Sequence, residues 1–430
     1  MRNKLKTLPL EFRKFLKTTS LFSERLGFQS YIVGGVVRDL LLSKAVFDLD
    51  ITVLGDAIKL SEEMSIHFNA NLRKYPAFGT ASVFYKCHKI DFTTARSEVY
   101  SHRGALPKVK PSGLKDDLFR RDFTINAMAI SLNSGNYGKL VDFHGGFSDL
   151  KKGTIRVLHN ESFLDDPTRI LRAIRFEQRF NFKIEHRTFT LMKEANSLEA
   201  LGLIHPHRLR DEIILILKEP MPLDCIKRID KLNGLFFLDA RIKLAKDDYA
   251  LLSRIKKTLL WYEEKFPKHL RIEGWLLYLG ALSVKLSKKN MAYFFQRFDL
   301  KKNERIRLLS MKTSKSKING LNKTVLPHRV YRTLKGLSLE AILFFYACCP
   351  DKRIRNNIDR YLGKLVHARL LTKGHDLKAI GVTHTKIYSK IMGKLLDTKI
   401  DKGFRTKKQE LKAAQCIYKR LLKIKKYAGS

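Results

Sequence analysis

Two aspartates, Asp48 and Asp50, follow closely on a turn that reads Gly34-Gly35-Val36-Val37-Arg38. On a strand, successive side chains alternate in direction, so the two acids share one face while Leu49 turns the other way into a core. A carboxylate pair of this kind suits a hard divalent cation. Mg²⁺ is ordinarily held by one or two carboxylates together with substrate phosphates, and a metal pair can clamp the attacking and leaving oxygens of an in-line displacement. The apolar run Tyr31-Ile32-Val33 ends at Gly34-Gly35, where bare backbone can approach a phosphate, and Arg38 follows to neutralise charge. No G-x-x-x-x-G-K-S/T segment occurs, so this is not a P-loop. The chemistry implied is nucleotidyl transfer, with Asp48 and Asp50 as candidate catalytic and metal-holding residues and Mg²⁺ as the ion.

A second segment, Arg120-Arg121-Asp122-Phe123-Thr124-Ile125-Asn126, places adjacent arginines where the chain re-enters a strand. Such arginines can reach a triphosphate, and Asp122 can accept a hydrogen bond from a ribose hydroxyl. Gly34, Gly35 and Asn126 join the same nucleotide-binding set. A third segment runs Asp165-Asp166-Pro167-Thr168-Arg169-Ile170-Leu171-Arg172-Ala173-Ile174-Arg175. Pro167 suits a first helical turn with Asp165 or Asp166 as N-cap, so Arg169, Arg172 and Arg175 line one polar stripe while Ile170, Leu171 and Ile174 face a core.

Cytosine and adenine both present an exocyclic amino donor beside a ring-nitrogen acceptor, whereas uracil and guanine present a carbonyl beside a ring N–H. A carboxylate and a guanidinium side by side, Asp166 and Arg169, would therefore accept CTP and ATP and leave unpaired groups against UTP and GTP. The same two residues would equally serve as an N-cap with an intrahelical ion pair.

The elements that position these residues divide by pattern. Short β-rich runs (31 to 33, 49 to 53, 81 to 85, 89 to 92 and 127 to 132) alternate with helical stretches up to about residue 143, and from about Ser162 helical periodicity dominates. Asp91, in the run 89 to 92, is a possible third carboxylate. In 430 residues, 84 Lys and Arg face 42 Asp and Glu, and a net charge of +42 calls for a polyanionic partner, most simply nucleic acid. Residues 351–430 concentrate that surplus, with 22 Lys and Arg against 6 Asp and Glu. No apolar stretch is long enough to span a membrane, and Trp275 to Val284 reads as a core helix. The basic, amphipathic stretch Met1 to Phe28 reads as part of the fold rather than as a cleaved leader. Five cysteines without C-x-x-C spacing indicate neither a disulfide framework nor a zinc site, and fit a reducing cytoplasm. Cys87-His88 and His205-Pro206-His207 read as structural.

Together with Val141-Asp142-Phe143-His144-Gly145-Gly146, these segments resemble the class II tRNA nucleotidyltransferase and bacterial poly(A) polymerase family, in family order over roughly residues 29 to 215. The resemblance implies an α+β fold: a polymerase-β-like head (1–150), then an all-helical neck (151–220), body (221–350) and tail (351–430), the tail binding tRNA. It implies addition of AMP, CMP or both to a tRNA 3′ end from ATP and CTP. By the same resemblance Asp48 and Asp50 would hold metal, Gly35, Arg38 and Arg121 would contact triphosphate and sugar, Asp166 and Arg169 would template the base, and Arg172 and Arg175 would support the phosphates. His205-Pro206-His207-Arg208-Leu209-Arg210-Asp211-Glu212 resembles a stabilising helix turn of the family. Ser101 to Val109 lacks the arginine-rich loop motif of full CCA-adding members and resembles members that add only A or only CC, with a slight lean toward A addition, and Ala127-Met128-Ala129 favours tRNA over a poly(A) substrate. Thr383-His384-Thr385 stands where longer members carry Pro-Gly-Pro. The alternatives are a poly(A) polymerase and an RNA-binding protein that has lost the chemistry. The sequence does not specify an oligomeric state.

Overall fold

The computed structural model describes residues 2–99, 108–267, 272–323, 325–383 and 387–427. The expectations on residues 101–107 and on 384–385 lie outside the described residues. The chain packs as two units, Met1–Ala240 and Arg241–Ser430.

The first unit is built on β1 (Gln29–Val33), β2 (Leu49–Leu54), β3 (Asn71–Tyr75), β4 (Thr80–Tyr85), β5 (His88–Thr94), β6 (Arg96–Val99), β7 (Lys108–Pro111), β8 (Met128–Ser131) and β9 (Leu140–Asp142). Seven of these form one mixed sheet in the order β3-β4-β5-β2-β1-β8-β9, while β6 and β7 make a separate hairpin. Only β2 and β5 pair in parallel within the large sheet, in a register that sets Asp50 beside Asp91. Leu49, Ile51 and Val53 are fully buried. Burying each such side chain is worth about 2 kcal/mol, and a one-residue slip would exchange those residues for the acids. The register therefore fixes which way Asp50 points.

The basic N-terminal stretch supplies the helix Leu10–Arg25, which buries Phe12, Phe15 and Leu16. Asp56 caps the helix Ala57–Phe68 by accepting from the Ile58 and Lys59 amides. The Asp-Phe-His-Gly-Gly segment acts as a clamp: Asp142 accepts from the amides of Gly146 and Phe147, both at 2.9 Å. A Cβ at Gly146 would lie 2.1 Å from the Thr124 carbonyl oxygen, so only glycine allows the helix Gly146–Lys152 to press against the turn Thr124–Asn126.

Five helices complete this unit: Ser162–Asp165, Thr168–Phe180, His186–Ser197, Pro206–Leu217 and Pro222–Asn233. The helix expected around Pro167 begins one residue later, at Thr168, with Pro167 in the cap position. Asp166 still caps it, since its Oδ1 accepts from the Thr168 amide and hydroxyl. Ile170, Leu171 and Ile174 face the core as the periodicity requires. Arg228 on the helix Pro222–Asn233 pairs with Glu177, so residues just past 220 pack with this unit.

The second unit is helical throughout its described residues. The helix Trp275–Ser283 is buried along its whole length, as its uninterrupted apolar sequence dictates. Leu377, Ile391, Leu395, Ala414 and Leu421 form a local core near the C-terminus. Glu410, fully buried, fastens that core by accepting from the Leu371 and Thr372 amides and from Lys399. No helix among the described residues is long and apolar enough to cross a membrane. All five cysteines are free thiols.

Candidate active site

A cavity of about 930 Å³ opens in the first unit, and all the candidate site residues of the three segments line it. Asp48 and Asp50 lie at one end, at the start of β2. Both are exposed, and neither makes a hydrogen bond or ion pair to any described residue. Asp50 is hemmed in by protein on its other sides. That loss of water raises its carboxyl above the ordinary range; Arg121 pulls it down, while Asp91 and Asp48 add like charge. Two carboxylates with open lone pairs and mutual repulsion fit a divalent cation. Among the described residues no group of three or more His, Cys, Asp or Glu converges on a metal position, which leaves the remaining ligands to phosphate and water. Asp91, the possible third acid, instead accepts from Ser82 Oγ at 2.5 Å and Lys89 Nζ at 2.7 Å.

Gly34 sits at φ +74°, a conformation that favours glycine. A Cβ there would fall 2.9 Å from Arg121 Nη1 and 3.7 Å from Asp50 Oδ2, so the bare backbone leaves room between a guanidinium and a carboxylate. Arg38 is buried and held by Asp39 and by Asn126 Oδ1 at 2.6 Å. Asn126 in turn donates to Asp122.

The opposite wall is a web of ion pairs. Asp122 accepts from the Phe123 amide and Asn126 through Oδ1, and from Arg172 Nε and Nη2 at 2.9 and 2.6 Å through Oδ2. Burial opposes this carboxylate's charge, but Arg172 and the other donors prevail and hold it at about 2. The ribose acceptor of the sequence reading is thus engaged on both oxygens in this structure, and it holds Arg172. Glu212 takes the other side of Arg172 at 3.0 Å and also faces Arg175. Arg175 is buried rather than displayed on a solvated stripe. Phe176 explains how arginines sit on an apolar face: its ring lies 5.1, 5.6 and 5.0 Å from the guanidinium carbons of Arg38, Arg172 and Arg175.

Asp166 and Arg169 do not pair with each other. Asp166 Oδ2 meets Arg208 at 2.7 Å, while Arg169 donates to Ser162 Oγ at 2.5 Å and to the Arg120 carbonyl at 2.7 Å. The intrahelical ion pair is therefore absent, and the two groups line the cavity held by different partners. Sequence reasoning missed Arg208 and Glu212 as cavity residues; it placed them in a helix turn without seeing that the turn grips Asp166 and Arg172. Arg120, expected at the triphosphate, has Nε and Nη2 on Asp117 and Nη1 on Glu98.

A carboxylate pair on a mixed sheet, beside an arginine-walled cavity closed by a helical neck, defines a nucleotidyltransferase-type head. Residues 30–156 match the family model described as the Poly A polymerase head domain. The chain is 33% identical over 415 residues to an A-adding tRNA nucleotidyltransferase of Geobacter sulfurreducens, covering 95% of this chain but 47% of that protein. It is 30% identical over 396 residues to the A-adding tRNA nucleotidyltransferase of Halalkalibacterium halodurans, covering 90% of this chain and 88% of that one. The structure of a Thermotoga maritima CCA-adding enzyme complexed with tRNA superposes with a TM-score of 0.75 at 33% identity, covering 97% of this chain and 98% of that one. The chain thus spans about half the length of the Geobacter relative and nearly all of the Thermotoga enzyme. It belongs to the class II tRNA nucleotidyltransferase and poly(A) polymerase family.

Proposed function

We propose that this protein transfers AMP, and in the fuller reading CMP as well, from ATP or CTP to the 3′ end of a tRNA, releasing pyrophosphate. One observation carries the proposal: the carboxylate pair and the Asp166/Arg169 helix start open onto the same cavity, so one nucleotide can meet both. Asp48 and Asp50 would hold Mg²⁺, which supplies charge neutralisation at the α-phosphate and activation of the attacking 3′ hydroxyl. Gly34 and Gly35 admit the phosphates, Arg38 and Arg121 offset their charge, and Arg172 and Arg175 support them from the neck. Asp166 accepts from the exocyclic amino group of cytosine or adenine and Arg169 donates to the ring nitrogen. Asp91 lies beside Asp50 in the ladder and shapes its charge without lining the cavity.

Both A-adding relatives support terminal A addition; the likeness to the Thermotoga enzyme favours the second reading, addition of the whole CCA end. The net charge of +42, concentrated in residues 351–430, supports a tRNA grip by the tail. Free thiols and the absence of a membrane-length helix among the described residues fit a cytoplasmic location.

The test is incorporation of labelled ATP or CTP, singly, into tRNAs ending in no C, one C or two Cs. Addition of A only to the tRNA with two Cs supports the A-adding reading; extension of all three with both nucleotides supports the CCA reading. No incorporation into any of them refutes the proposal. Asp166→Ala should shrink the preference for ATP over GTP by about tenfold or more.

A further inference from the structure

We propose that Asp117, outside the nucleotide-contacting set, is a positioning residue that keeps Arg121 off Asp50 and so keeps the carboxylate pair available to its cation. The inference rests on the reading of the cavity as a site for Mg²⁺ and a nucleoside triphosphate.

Asp117 lies on the helix Leu114–Phe119 and is fully buried. Its Oδ2 accepts from Arg121 Nη2 at 3.0 Å and from Thr52 Oγ at 3.2 Å. Its Oδ1 accepts from Arg120 Nε at 3.1 Å and Nη2 at 2.8 Å, and from the Arg96 amide at 3.4 Å. Thr52 stands two residues beyond Asp50 on β2 and so on the same face of that strand. One buried carboxylate therefore ties the metal-facing strand to both arginines of the Arg-Arg-Asp segment.

The two arginines differ in what else holds them. Arg120 has a second acid, Glu98, at 3.0 Å. Arg121 has Asp117 as its one ion-pair partner within 4 Å among the described residues. Its Nε is buried without a hydrogen-bond partner, and its Nη1 stands over Gly34 at the point that Asp50 Oδ2 also approaches.

Without the charge on Asp117, Asp50 is an acid within reach of Arg121, since Asp50 Oδ2 and Arg121 Nη1 both approach one point over Gly34, at 3.7 and 2.9 Å. A guanidinium drawn onto Asp50 would occupy lone pairs that a cation needs, and would leave the phosphates without their donor. The signature is competition with the metal, which a simple loss of packing would not produce.

The experiment measures initial rates of nucleotide incorporation into a tRNA acceptor by the full chain while MgCl₂ is titrated at saturating ATP. Asp117→Asn should raise the half-saturating Mg²⁺ concentration and the KM for ATP by about tenfold, with tRNA retention in a gel shift unchanged. Thr52→Val, which removes one hydrogen bond and keeps side-chain shape, should move both in the same direction by about twofold to threefold, and it decides the matter if Asp117→Asn fails to fold. Wild-type Mg²⁺ dependence in the folded variants, or a fall in kcat with unaltered Mg²⁺ and ATP dependence, overturns the inference alone. A wild-type chain that incorporates no nucleotide overturns the parent reading and the inference with it.

Discussion

The carboxylate edge and the neck wall of the cavity follow opposite electrostatic plans. At the edge, Asp48 and Asp50 have no hydrogen-bonded partner among the described residues, and their charges oppose one another. Elsewhere on the cavity wall, Asp122, from the head, and Asp166, Arg169 and Arg172, from the neck, are each bound by fixed protein groups. A group that must exchange a metal and phosphates each turnover has to be left without an internal partner. A group that must present a fixed edge to a base has to be tied down beforehand, because a loose side chain would pair with either type of base. The contrast separates what binds from what is pre-set.

The sharpest way to break that contrast is Asp50→Ala. It should lower incorporation by about 10³-fold or more while tRNA still shifts on a gel, because the chemistry needs the metal and RNA affinity comes from phosphate contacts elsewhere. Retained activity would place the metal somewhere else. Next comes Arg172→Ala, which leaves Asp122 and Glu212 without their shared cation. A loss of about 3–5 kcal/mol in chemical denaturation is expected, far more than for either edge aspartate.

Acid titration gives a smaller effect of predictable sign. Asp122 titrates at about 2 in the fold against an ordinary 3.8. Its contribution, on the order of 2 kcal/mol, is complete above roughly pH 4 and disappears as pH falls toward 2. Asp122→Asn should therefore flatten the stability profile in that window, read by circular dichroism. The smallest effect sharpens the comparison. Loss of water on its protein-facing sides raises the Asp50 carboxyl, so its charged form costs the fold stability at neutral pH. Asp50→Asn should abolish transfer yet raise stability slightly, by less than about 1 kcal/mol, and a melting curve checks it.

Much of this was legible because the chemistry sits in short contiguous segments. Strands β1, β2, β4, β5 and β8 follow from runs of apolar and β-branched residues, and the helix Thr168–Phe180 from its 3.6-residue period. Strands β3, β6, β7 and β9 were missed: they are short, with little apolar alternation, since β3 and β9 form the sheet edges and β6 and β7 a two-stranded hairpin. Apart from Asp91, the site residues singled out from the sequence line the cavity. Their partners were harder to see. Arg208 meets Asp166 across 42 positions and Arg172 meets Glu212 across 40, separations on which no local pattern bears. Asp117 did leave a signal, an acid three and four residues before two arginines. It reads as an ordinary surface pair until its burial is known.

The cavity wall runs from Gly34 to Leu215, so its catalytic acids and its last supports are separated by most of a domain's worth of chain. A chain growing from its N-terminus possesses the acids long before Arg208 and Glu212 exist to brace Asp166 and Arg172. On the proposed reading, competence is thereby deferred until the helix Pro206–Leu217 docks, and base selection arrives with the same folding event that completes the cavity.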